Sequence, residues 1–294
     1  MKDSLAAELC SPLPTGRRLF NVFMTVIAFV LTALALLPLF AILIEILRQG
    51  IPHLKGELFT SLPAPQGMQG VPNGFANDII GTLMMVGIAS VLSIPFGVMT
   101  GIFLSEFGQG SAIASTVRFL TSILTGVPSI IVGVFAYGVI VITTKVFSAL
   151  AGGFALSILM LPIVALTTEQ ALKLVPTSQR LASAALGASR IQTTFRVVIA
   201  AAIPAITTGI LLAVARAAGE TAPLIFTALF SQNWPEGFFS PTPSLSVLIY
   251  NYAQSAFPEQ NQLAWTASII LVGLVLCISI FSRLVINKRF KVRG

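Results

Sequence analysis

The chain has 294 residues, of which 55% are hydrophobic and only 9% charged, with a formal net charge of +7 and a mean hydropathy of +0.93. Soluble domains carry roughly 25% charged residues, so this composition excludes an ordinary soluble fold and defines an integral membrane protein. Only helices and closed barrels satisfy their backbone in lipid, and the long apolar runs here, which lack strict alternation, select helices.

An all-α protein with six transmembrane helices is therefore expected. Residues 1–19 read as a polar tail, and the apolar run that follows is too long for the h-region of a cleaved signal peptide, so it is expected to remain as the first anchor. The spans are placed at about 20–47, 79–104, 119–142, 154–172, 197–230 and 263–286, with a basic tail at 287–294. An even number puts both termini on one side. Thirteen of the 17 lysines and arginines fall on that side, and only Arg48, Lys55 and Lys145 fall on the other. The bias predicts that both termini are cytoplasmic, and it accounts for the positive charge without a nucleic-acid partner.

The segments 48–78 and 231–262 then lie outside. They carry "SLPAPQGMQGVPNG" and "SQNWPEGFFSPTPS", stretches that favour turns over long regular elements and that serve either as docking surface or as solvated connection. Span three contains "LTGVPSIIVGVFAYG". Gly126, Gly133, Gly138 and Ser129 read there as a close helix-packing surface, and Pro128 as a break that lets a gate flex.

The inner segment 173–196 is amphipathic, basic and rich in small residues, with a helix beginning after Pro176. Such a helix either lies along the membrane surface or uses Ala182, Ser183, Ala184, Ala185 and Gly187 to admit another protein's surface.

Span five holds "LLAVARAAGETAP", Leu211–Pro223. An arginine at the bilayer centre costs about 2.5–3.5 kcal/mol on insertion scales, so Arg216 is expected to face protein or water. Arg216 and Glu220 are four residues apart and share a helical face. They either neutralise each other structurally or line a passage, with Thr221 adding a hydroxyl. Cys10 and Cys277 lie too far apart to suggest a disulfide or metal pair, and His53 is the only histidine. There is no G-x-x-x-x-G-K-[ST] phosphate loop, so the chain is expected to hydrolyse no ATP itself.

The inner segment resembles the EAA loop of ABC-importer permeases through Leu181, Ala182, Ser183 and Gly187. Leu181 stands where a glutamate is usual, and Pro204 stands beyond the usual proline position near Ala200. Together with "LTGVPSIIVGVFAYG", "TTEQALKLVP" and "ARAAGETAPLIFTALF", spans two to six look like the PstA family of phosphate permeases. The resemblance implies a bacterial inner-membrane importer in which a sister permease, PstC, completes the pathway. A pair of PstB ATPases would bind the ATP and Mg, and PstS would deliver phosphate from outside; no cofactor is implied in this chain. It also implies that Arg216, Glu220 and Thr221 line the anion path, and that Ala182, Ser183, Ala184 and Gly187 meet the ATPase. The family arginine expected before Thr167-Thr168-Glu169 is replaced by Leu166, which leaves Arg216 as the basic side chain expected deep in the membrane. Permeases for sulfate, molybdate or phosphonate are the neighbouring alternative. A self-sufficient secondary transporter is the distant one, since it calls for paired broken helices.

Overall fold

A computed structural model describes residues 15–68 and 71–291. Residues 1–14, 69–70 and 292–294 lie outside the described residues, and with them Cys10, most of the expected N-terminal tail and the end of the basic tail. Every regular element among the described residues is helical.

The chain divides into two units, Met1–Gln49 and Gly50–Gly294. The first is dominated by α1 (Thr15–Gly50), which contains Pro38 and an apolar window of mean hydropathy 2.8. Thr25 and Thr32 donate to the carbonyls of Asn21 and Ala28 at 2.8 and 2.7 Å, so neither hydroxyl needs a partner from lipid.

In the second unit, two 3-10 turns (Ile51–His53 and Gly56–Phe59) lead to α2 (Ala76–Ile102), which ends in a π turn, Phe103–Phe107. α3 (Ala112–Gly126) and α4 (Ser129–Ala136, continuing through a π turn to Thr144) follow, then α5 (Ala149–Lys173). The short α6 (Thr177–Ala185) and α7 (Arg190–Thr193) precede a third π turn, Thr194–Val198, that opens into α8 (Ile199–Gly219). α9 (Ala222–Thr227), α10 (Leu245–Ala253) and α11 (Pro258–Lys291) complete the unit. Among the described residues five helices, α1 included, are long and apolar enough to cross a membrane, six if the bent pair α3–α4 is one span.

The centre is built on α2, α5 and α8. A Cβ added at Gly97 would lie 2.8 Å from Val164, one at Gly101 2.6 Å from Thr168, and one at Gly153 2.6 Å from Ile88. Gly209 of α8 sits equally close on Thr167. Lipid tails are as apolar as leucine, so helices in a bilayer gain little from the hydrophobic effect and associate through such close packing. Met85, Val86, Ala89, Leu156, Met160, Val164, Ala213 and Ala217 fill the remaining space.

Two sequence expectations change, and a third gains its geometry. The span placed at 119–142, read with a break at Pro128, is an elbow: α3 and α4 meet at 103°. Pro128 has no N–H to donate and forces Val127 into an extended conformation, ψ 128°, which ends the helix before it. The single 34-residue span at 197–230 is also interrupted. Its helical path begins at Arg190 and stops at Gly219, because Glu220 is extended at ψ 128° and Pro223 starts a separate short helix. Arg216 therefore occupies the last turn of α8, not the middle of a span. Finally, the turn-rich segment 231–262 contains α10. Ser244 caps it by accepting from the Val247 N–H at 3.4 Å. Leu245, Leu248 and Tyr252 bury against Leu58, Phe75, Leu263 and Ala267, giving the outer loops a core of their own.

Candidate functional site

At the break between α8 and α9 Arg216 and Glu220 come into contact, while Thr221, the next residue, turns its hydroxyl to Ser246. Arg216 Nε donates to Glu220 Oε1 at 3.4 Å, although Glu220 has left the helix. The arginine side chain is 53% exposed and the glutamate 18%. Its terminal guanidinium nitrogens donate to no described residue. Exposed ion pairs of this kind are worth about 0–1 kcal/mol, so exchanging the carboxylate for another anion costs little. The planar guanidinium offers paired donors that suit a tetrahedral oxyanion.

Two neighbours fix this break. Gly133 of α4 packs on the backbone of Pro223. Ser246 of α10 donates from Oγ to the Glu220 carbonyl at 2.9 Å, and Thr221 Oγ1 donates to the Ser246 carbonyl at 3.5 Å. The N–H of Leu245 in turn donates to Thr82 Oγ1 of α2 at 3.0 Å. Ser246 escaped the sequence reading because it lies 26 residues from Glu220 in a segment rich in turn formers. A signal was present: Ser244 precedes Leu245, Leu248, Ile249 and Tyr252, the spacing of a capped apolar helix face.

Pro128 and Ser129 form the elbow and the first turn of α4. Among the described residues nothing lies within 4 Å of a Cβ added at Gly126 or Gly138, whereas Gly133 is in close contact.

The residues read as ATPase-facing lie on α6 and its cap, at the other end of the Arg190–Gly219 helical path, about 45 Å of helix from the break. Ala182, Ala184, Ala185 and Gly187 are exposed, and Ser183 bonds Thr193 at 2.9 Å. α6 closes with a Schellman turn: the N–H of Gly187 donates to the Ala184 carbonyl at 2.9 Å and that of Ala188 to Ser183 at 3.2 Å. Gly187 holds φ +80°, which this turn requires.

Two buried carboxylates organise this end. Glu106 accepts from Arg180 Nη2 at 2.8 Å, and its side chain is 8% exposed. Glu169, 4% exposed, accepts from Arg118 Nη2 at 2.6 Å and from Lys173 at 2.7 Å. Sequence reading counted these basic residues toward topology, and Arg180 also toward the polar face of its helix; the Arg180–Glu106 and Arg118–Glu169 pairings span 74 and 51 residues and carry no local signal, whereas Lys173 is four residues from Glu169.

Residues 93–291 match the family described as the binding-protein-dependent transport system inner membrane component. The fold is similar to that of a chain in the inward-facing MetNI methionine ABC transporter, with a TM-score of 0.58 at 20% identity, covering 73% of this chain and 95% of that one. In class, then, the chain is a multi-pass membrane permease of the ABC importer type, without an ATPase site of its own. It is 42% identical to the phosphate transport system permease protein PstA of Haemophilus influenzae over 91% of this chain and 94% of that one. It is also 37% identical to the probable phosphate permease PstA of Methanocaldococcus jannaschii, covering 84% and 87%. The chain belongs to the PstA family of phosphate transport system permeases.

Proposed function

We propose that the chain forms half of the transmembrane anion path of an ATP-driven phosphate importer of the bacterial inner membrane, with both termini cytoplasmic. The observation that carries this reading is the half-exposed Arg216, held among the described residues by a single 3.4 Å contact to Glu220 at a helix break. Relatives that are 36–42% identical and named for phosphate transport support the substrate. Glu220 holds the guanidinium between transport events, phosphate displaces that carboxylate, and Thr221 offers a hydroxyl beside it. The pair limits how tightly the anion binds, which favours its release. PstC supplies the other half of the path, and PstS delivers phosphate from outside. PstB binds ATP and Mg and acts on the segment 173–196 through Ala182, Ser183, Ala184 and Gly187.

Phosphate uptake by the intact complex tests this reading. Arg216→Gln is expected to reduce uptake at least about tenfold, the loss of one charge-assisted contact, and Arg216→Lys to reduce it less. Full uptake by both variants removes Arg216 from the path. Sulfate, molybdate or phosphonate competing better than phosphate reassigns the substrate.

A further inference from the structure

No residue of α6 is buried, although this is the helix read above as the contact for the ATPase. An element without apolar packing has to pass force to the membrane helices through its turns and polar links. Two of the polar links, from Arg180 and Arg190, meet at one residue outside the segment, Glu106. Glu106 lies in the π turn that ends α2, and π turns are frequent at functional positions. Its Oε1 accepts from Arg180 Nη2 at 2.8 Å, and its Oε2 lies 3.5 Å from Arg180 Nε, so one guanidinium fork addresses both oxygens. Ser105 Oγ donates to the same carboxylate at 3.1 Å.

Arg180 also donates to the carbonyls of Leu172 and Val175, at 2.9 and 2.5 Å, where α5 runs out. It thereby ties α6 to the ends of both α2 and α5. On the far side of the Schellman turn, Arg190 donates to the Glu106 carbonyl and lies 5.4 Å from the centroid of the Phe107 ring. The start and the end of the exposed segment are thus both pinned to Glu106, the start through its carboxylate and the end through its carbonyl, with Phe107 meeting the end alone. Each arginine engages Glu106 from its own side of the segment, so displacing the segment in either direction loads one of them.

We infer that Glu106 is the positioning residue through which the segment 173–196 moves the membrane helices, so that ATP hydrolysis and transport are joined at the Glu106–Arg180 contact. The inference rests on the reading that this segment meets the ATPase. Arginine suits the role because its rigid fork fixes direction, whereas a lysine offers only a point charge on a flexible stem.

The test uses the whole importer in vesicles, with phosphate uptake and ATP hydrolysis measured together. Glu106→Gln is expected to lower phosphate transported per ATP by at least about fivefold, while the permease still co-purifies with the ATPase. Arg180→Lys is expected to lower the same ratio by a smaller factor. A ratio unchanged in Glu106→Gln overturns the proposal. If that variant fails to assemble, an unchanged ratio in Arg180→Lys overturns it instead. A purely structural Glu106 would lower uptake and phosphate-stimulated hydrolysis together and leave the ratio intact. The underlying reading is checked separately with Leu186→Cys, a position 90% exposed, in a chain carrying Cys10→Ser and Cys277→Ser. A bifunctional maleimide is expected to join it to the ATPase. Cross-linking with an unchanged ratio sinks the Glu106 proposal alone, and absence of the cross-link sinks both.

Discussion

Gly133 lies so close to Pro223 that a Cβ on the glycine would fall 2.6 Å from the proline Cα. This contact joins α4 to α9 immediately after the Arg216–Glu220 pair. The atom opposite Gly133 is backbone, so it cannot rotate away. Gly133→Ala is expected to cost about 1–3 kcal/mol as overpacking and to reduce phosphate uptake. Gly126→Ala, whose Cβ would meet nothing within 4 Å in this chain, is the matched control. Equal thermal stability and equal uptake in the two variants would show that the contact has no role.

Ser246 donates to the carbonyl of Glu220 from another helix. Ser246→Ala removes that donor at a cost of about 1 kcal/mol. If the serine positions the Arg216–Glu220 pair, the loss should appear mainly as a rise of roughly fivefold in the phosphate concentration for half-maximal uptake. Ser246→Thr, which keeps the hydroxyl, should restore most of it. A fall in maximal rate alone, unrelieved by threonine, would argue against positioning.

Gly187 is exposed and its Cβ position is open, yet its φ is +80°. The constraint is therefore backbone conformation. Alanine in the left-handed region costs about 1–2 kcal/mol, and asparagine visits it more readily. Gly187→Asn should retain more uptake than Gly187→Ala despite its larger side chain. The reverse order would show that the glycine is there to admit a partner's surface.

The Glu169 cluster should respond asymmetrically. Glu169→Gln leaves Arg118 and Lys173 free to reach solvent, since their side chains are 42% and 54% exposed. That substitution should cost about 1 kcal/mol. Arg118→Met combined with Lys173→Met strands a carboxylate only 4% exposed and should cost about 3–5 kcal/mol. Thermal unfolding in detergent separates the two cases, and equal losses would contradict the account.

What the sequence revealed follows from the range of the forces involved. The apolar run read as 154–172 became α5 at 149–173, because a buried apolar helix announces itself locally. The four-residue spacing put Arg216 and Glu220 on one helical face, whereas Gly187, read as a small contact residue, takes its role as the left-handed cap only in the fold. The stop at Gly219 was hidden because hydropathy does not register a change of ψ at Glu220. α10 was hidden because its flanks are rich in proline and glycine, while the core that stabilises it comes from Leu58, Phe75 and Leu263, far away in sequence. The sequence reading gave Glu106 no role, because only the folded chain brings Arg180 and Arg190 to it.

The glycine contacts among α2, α5 and α8 also govern how the protein can change shape. Where a glycine backbone rests on the first side-chain atoms of a β-branched neighbour, whose rotamer is stiff, little pliant material remains to absorb sliding. Gly97 on Val164, Gly101 on Thr168 and Gly209 on Thr167 therefore fasten three helices into one stiff keel. Bending is left to the places where the helical ladder is already interrupted: the elbow at Val127–Pro128 and the break at Glu220–Thr221. On the proposed coupling, a push on the keel at its Glu106 end arrives, with little lost on the way, at these two joints, one of which directly follows the arginine's own helix.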